Sequence, residues 1–199
     1  MTAAPQVSTA EGLSDAVIIE RSWNDPESFA VVFDRYYFQI HGFAAQRLGP
    51  SLADDVAAET FLIAFDRRKR YDLSRDDARP WLYGIVTNLL SRHHRAEARR
   101  YRALSRTHLR DVDDDHADRV AGRLDAQAHR EPLMAALAKV SKAHRDALLL
   151  VAWAGLSHEE AAEALGITSA GVRTRLHRAR KRIRAALDHI GPATTEKEL

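Results

Sequence analysis

Residues 156–184 read LSHEEAAEALGITSAGVRTRLHRARKRIR, and the fold follows from how they are read. Ser157 followed three residues later by Glu160 is a capping box: the serine side chain takes the third helical amide while the glutamate reaches back to the serine amide. The pattern predicts a short helix that turns Ala161, Ala162 and Leu165 inward. It stops at Gly166, where a residue without Cβ adopts the left-handed conformation at little cost. A second helix follows, capped by Thr168 or Ser169. At 100° per residue Val172, Leu176, Ala179 and Ile183 share one stripe, with Arg173, Thr174, His177, Arg178, Lys181 and Arg184 opposite. Small Ala162, the Gly166 turn and β-branched Val172 have the spacing of a helix-turn-helix. Between Arg173 and Arg184 lie seven cations (Arg173, Arg175, Arg178, Arg180, Lys181, Arg182 and Arg184) and no acid. A merely solvated face mixes the two signs, so this one calls for a polyanion.

Outward from that stretch, the 199-residue chain has a formal charge of only +2. That sum conceals a segregation of sign along the chain, and the pI near 9.0 leans toward a nucleic-acid partner. Cysteine is absent, which excludes disulfides and thiolate metal sites. No apolar run has the length of a membrane span, and the start, MTAAPQVSTAEGLSD, has neither the basic beginning nor the apolar core of a signal peptide. The expectation is a cytoplasmic protein without membrane insertion. His93 and His94 are adjacent rather than four apart, so neither a metal nor another cofactor is expected.

Residues 1–13 read as a flexible tail. Ser14 heads a short helix through Val17, Ile18 and Ile19. Asp25 and Pro26 start a longer one, in which Phe29, Phe33, Tyr36, Tyr37, Ile40 and Phe43 recur at helical spacing, as a core stripe rather than an aromatic platform. Ser51 with Asp54 restarts a helix to about Arg68. Val56, Phe61, Leu62, Ile63 and Phe65 make it apolar around much of its circumference, which predicts the central helix of its domain. Asp54, Asp55 and Glu59 in its first two turns suit the helix dipole; Glu59, on the same face as Asp55, also fits an acidic docking edge. YDLSRDDAR, residues 71–79, reads as a loop. Pro80 then opens a helix from Trp81 to about Arg106, with Leu82, Ile85, Val86, Leu89, His93 and Ala96 on one stripe and Asn88, Arg92, Arg95, Arg99 and Arg102 on another. Trp81 and Tyr83 read as packing residues.

Five carboxylates in DVDDDHAD, residues 111–118, mark a linker. The organisation is therefore all-α with two small domains: 14–106, a linker over 107–129, 130–188, and a tail over 189–199. In the second domain Pro132 opens a helix containing Leu133, Leu137 and Val140, and Ser141 caps another through Ala147, Leu148, Val151 and Ala152.

DDVAAETFLIAF followed by RPWLYGIVTNLL, and then LSHEEAAEALGITSAGVRTRLHRARKRI, resembles a group IV (extracytoplasmic-function) sigma factor of the bacterial sigma-70 family over roughly residues 15–187. The resemblance implies a region 2-like bundle and a region 4-like helix-turn-helix domain. It implies core RNA polymerase, promoter DNA as duplex and as melted non-template strand, and an anti-sigma factor as partners. Docking on polymerase would fall to Asp54, Asp55, Glu59 and Leu62. Tyr71, Asp72, Ser74 and Arg75 of the loop, with Asn88, would capture a flipped base of the minus-ten element, and Arg92, Arg95 and Arg99 would hold the strand. Ser169, Arg173, Thr174, His177, Arg178 and Lys181 would read the minus-thirty-five element. Ala58 stands where the family usually has glutamine, and Gly171 where it commonly has threonine, a change expected to loosen the helix start.

The chemistry suits that implication. Arginine pairs bidentately with guanine in the major groove, while opening DNA takes a pocket for an unstacked base and a basic track for the single strand. A helix-turn-helix regulator acting without polymerase accounts for the second domain but leaves the first without a task. An enzyme is disfavoured, since Ser157, His158 and Glu159 are consecutive at a helix start and their side chains diverge.

Overall fold

The computed structural model describes residues 12–105, 136–137 and 139–188, and all regular structure among them is helical. Two compact units, Met1–Arg92 and His93–Leu199, divide the chain. Of the expected tails and acidic linker, all but Gly12 and Leu13 lies outside the described residues.

The first unit comprises α1 (Asp15–Arg21), a 3₁₀ turn (Pro26–Phe29), α2 (Ala30–Leu48), α3 (Pro50–Arg67), a second 3₁₀ turn (Arg68–Arg70) and the start of α4 (Arg79–Ser105). Where the sequence suggests an α-helix from Asp25, a 3₁₀ turn forms first. The Asp25 carboxylate accepts the Ser28 hydroxyl at 2.6 Å rather than a backbone amide, so α2 begins only at Ala30. Gly49, at φ +83°, ends α2, and Pro50 takes the first position of α3, one residue ahead of the expected start.

α2 and α3 pack on each other, and edge-on rings knit the unit: Phe33 meets Phe61 at 4.9 Å, and Phe43 meets Tyr83 of α4 at 5.2 Å. The expectation for α3 needs correction. Its buried face is a single stripe, Ala53, Val56, Ala57, Thr60, Phe61 and Ala64, whereas Leu62 is 61% exposed. The buried alanines make α3 a close-packed neighbour rather than the centre. α4 is the enclosed helix: Leu82, Tyr83, Ile85, Val86, Thr87, Leu89 and Leu90 are all buried. Burial of each leucine is worth about 1.5–3 kcal/mol. Phe33, expected in the core, keeps 38% of its surface exposed.

In the second unit, α5 (Lys142–Ala152), α6 (His158–Leu165) and α7 (Ser169–Asp188) surround one core. Leu149, Leu150, Leu156, Ala161, Ala162, Val172, Leu176 and Ala179 fill it. The helix expected from Pro132 lies largely outside the described residues; Leu137 and Val140 are buried, and Arg145 donates to both their carbonyls, at 3.0 and 2.9 Å. On α5, Ala147, Leu149 and Leu150 face inward while Ala152 is exposed.

Candidate nucleic-acid interface

The second unit presents its cationic helix, α7, as local chemistry dictates. The Ser157 hydroxyl accepts the Glu160 amide at 3.1 Å and Glu160 Oε2 accepts the Ser157 amide at 2.6 Å, so the capping box is formed. Gly166 sits at φ 62°, ψ 37°, and the Ile167 amide reaches the Ala162 carbonyl at 3.0 Å, closing the turn that aims α7. Of the two candidate caps, Thr168 serves: its hydroxyl accepts the Gly171 amide at 3.1 Å. Gly171 is helical, and a Cβ there would lie 3.4 Å from Thr168 Oγ1, so the glycine leaves the cap intact.

Val172, Leu176 and Ala179 are buried on one side of α7; Ile183 is half-buried and Ala186 extends the stripe. Arg173, Thr174, His177, Arg178 and Lys181 are exposed on the other, with Ser169 half-buried at the start. Thr174 spends its hydroxyl proton on the Ala170 carbonyl, at 3.0 Å. Among the described residues none of the seven cations on α7 forms an ion pair. His144 of α5 feels that field. Partial burial, then the charges of Arg178, Arg175 and Arg182, hold its pKa below the ordinary histidine value.

In the first unit the 71–79 loop folds on itself. Asp72 Oδ1 accepts both the Ser74 amide, at 3.0 Å, and its hydroxyl, at 2.7 Å, an Asx turn that holds the Asp72 carboxyl below its usual pKa, the hydroxyl bond contributing most. Arg75 lies 3.7 Å from the same carboxylate. Asp72, Ser74 and Arg75 are exposed, but Tyr71 is only 7% exposed. Its ring packs against Trp81 and its hydroxyl donates to the Arg75 carbonyl at 2.6 Å. Tyr71 therefore shapes the loop from within instead of offering a surface, a correction to the expected direct contact. Asp77 accepts the Arg79 amide at 2.8 Å and starts α4.

Asn88 and Arg92 are exposed on α4, as is Arg95 further along the helix. The Asn88 amide makes no hydrogen bond among the described residues. The side chains of Arg99 and Arg102 lie outside the described residues.

Asp54, Asp55 and Leu62 are exposed on α3, and Glu59 is half-buried. Asp54 is held by the first unit itself, at 3.1 Å from His41 Nε2 and 3.3 Å from the Tyr37 hydroxyl. Glu59 lies 3.8 Å from Arg92 of α4, bringing an expected docking acid beside an expected strand-holding cation. Both side chains keep much of their surface in water, so the pair itself contributes little.

Sequence reasoning misses two features. Phe38 is 82% exposed on the helix that packs on α3; its place one residue after the Tyr36–Tyr37 pair gives it the look of a core residue. Asp15, 2% exposed, has the sequence signature of an ordinary first-turn acid, yet it gathers donors from two distant segments.

Residues 32–100 match the family described as Sigma-70 region 2, and residues 130–183 match Sigma-70, region 4. The chain is 30% identical over 150 residues to the ECF RNA polymerase sigma factor EcfG of Rhodopseudomonas palustris, covering 72% of this chain and 78% of that one. It is 29% identical over 170 residues to the RNA polymerase sigma factor NccH of Alcaligenes xylosoxydans xylosoxydans, covering 77% and 88%. Its fold resembles the sigma factor RpoE of Bartonella quintana, solved in complex with the anti-sigma factor NepR, at TM-score 0.60 and 23% identity over 81% of this chain and 98% of that chain. Two helical units, matching the two sigma-70 regions, make this a promoter-recognition protein. The chain belongs to the ECF group of sigma-70 family RNA polymerase sigma factors. It binds core polymerase and directs it to promoters, so the first unit has a task that a free-standing regulator would leave unfilled.

Proposed function

We propose that this sigma factor divides its task among three surfaces. Asp55, Glu59 and Leu62 of α3, with Asp54 as a fixed neighbouring charge, dock on core polymerase. Asp72, Ser74 and Arg75 of the loop, shaped by Tyr71, join Asn88 in holding an extruded minus-ten base, while Arg92, Arg95 and Arg99 carry the single strand. Arg173, Thr174, His177, Arg178 and Lys181, with Ser169 at the helix start, read the minus-thirty-five duplex. Residues 14–106 and 130–188 are the two working domains, joined by the acidic stretch. A tethered pair of readers lets two weak contacts act as one. The protein acts in the cytoplasm by binding, without turnover or a cofactor.

The observation that carries the base-capture part is Asn88: an exposed amide, with donors and an acceptor uncommitted, on the face of α4 that continues into Arg92. Arginine supplies charge alone, whereas an amide can read a base edge. Asn88→Ala is expected to form closed complexes as wild type does but to melt the promoter poorly by permanganate footprinting. Normal melting on a natural promoter removes Asn88 from the pocket.

Phe38 and Leu62 expose apolar surface on α2 and α3 beside acidic residues, and this supports an anti-sigma factor that covers the polymerase-docking side. Competition between such a partner and core enzyme, measured by fluorescence anisotropy, is the test.

A further inference from the structure

We infer that Asp15 is the positioning residue for the 71–79 loop, setting the shape of the pocket that selects the extruded minus-ten base; this rests on the base-capture reading proposed above. Asp15 lies at the start of α1, far in sequence from the loop, and is 2% exposed. A carboxylate so buried persists only where donors replace its water. Its Oδ1 accepts Arg35 Nη1 at 2.7 Å. Its Oδ2 accepts the Tyr36 hydroxyl and, at 2.8 Å, the backbone amide of Ala78. The Asp15 amide in turn donates to the Asp76 carbonyl at 3.0 Å. Two bonds therefore pin the exit of the loop, at Asp76 and Ala78, to α1, and two more tie the same carboxylate to α2.

The Tyr36 hydroxyl also lies 3.4 Å from Asp77 Oδ1, a second tie from α2 to the loop exit, while the bonds within residues 71–75 are local. Tyr71 bonds the Arg75 carbonyl and Asp72 bonds Ser74, so these contacts fix the loop's internal shape but not its place on the unit. Residues 72–75, the exposed part, are carried between the Tyr71–Trp81 contact and the Asp15 clamp. A carboxylate is suited to this, because both oxygens accept and its charge answers Arg35. An asparagine would turn an NH₂ toward one set of donors. Through the bonds to Asp76 and Ala78, the position of the loop relative to Asn88 on α4 depends on Asp15 directly.

The test uses the full chain with core RNA polymerase and promoters carrying each of the four bases at the minus-ten position that wild type discriminates most strongly. Open complex is read by permanganate reactivity. Asp15→Asn is expected to reduce the discrimination at that position by about tenfold, as for one lost buried charge-assisted bond. Tyr36→Phe should reduce it in the same direction by less. Affinity for core enzyme and preference at the minus-thirty-five element should stay at wild-type values. Unchanged base preference in both variants overturns the inference, as does a parallel loss of core affinity and of both preferences, which marks a general fold role. Should Asp15→Asn fail to fold, Asp15→Glu, which keeps the charge but displaces it, decides together with Tyr36→Phe by the same criteria; a loss in Tyr36→Phe alone belongs to its own contact with Asp77 and overturns the inference. Asp72→Ala and Ser74→Ala separate the two readings: if they flatten the preference while Asp15→Asn does not, the loop captures the base without Asp15. If none of these variants has an effect, base capture by the loop is itself wrong.

Discussion

The helix-turn-helix of the second unit and the 71–79 loop of the first are both proposed to contact DNA, and they are built in opposite ways. The cap and turn bonds of the helix-turn-helix are local: Ser157 to Glu160, Ile167 to Ala162, Gly171 to Thr168. The loop is placed by Asp15, across 63 residues to Ala78, and by Tyr36, which bonds that carboxylate. The cations of α7 are in no ion pair among the described residues, whereas Arg92 on α4 faces Glu59. The difference suits the two substrates. Duplex DNA presents a rigid groove that a preformed helix can enter, while an extruded base has no fixed frame until the protein provides one.

Six substitutions, in five variants, put that contrast to the test. Leu176→Ala should cost the second unit about 2–5 kcal/mol, because a fully enclosed side chain holds α7 on the helices before it. A denaturant titration following helical signal measures it, and a loss under about 1 kcal/mol would mean the helix-turn-helix does not depend on that core. Asp55→Arg combined with Glu59→Arg should lower affinity for core polymerase by at least about a hundredfold with helicity retained, since both reverse charge at the proposed edge and Glu59→Arg also faces Arg92 with a like charge. Unchanged affinity in a pull-down would sink the docking assignment.

Arg173→Ala and Arg178→Ala should each weaken promoter binding by about 1–3 kcal/mol, with altered preference at particular minus-thirty-five positions. A uniform loss across a promoter panel would assign them to phosphate instead. Smallest is Gly171→Ala, expected to stabilise the second unit by about 0.5–1 kcal/mol. Its backbone is helical and the added Cβ would meet its nearest neighbour at 3.4 Å. A lower melting temperature would show that the contact with Thr168 and Ile167 is too tight.

Much of the site is legible in the residues because much of it is periodic or local. Capping, the glycine stop and a cationic stripe at 3.6-residue spacing depend on neighbours within a turn or two. The residues therefore specify unaided that the chain is helical, that 156–184 forms a helix-turn-helix and which side of it carries the cations. Whatever depends on elements meeting in space comes only with the fold. Phe61 and Leu62 are adjacent and equally apolar, yet one is buried against Phe33 and the other is 61% exposed, because α2 covers only one face of α3. Tyr71 reads as polar loop but turns inward onto Trp81. Asp15 reads as a first-turn acid of any surface helix, and becomes the clamp of the loop only when α1, α2 and residues 76–78 converge on one carboxylate. Local propensity carries no record of that convergence, since the donors that make a buried charge tolerable arrive only with the fold.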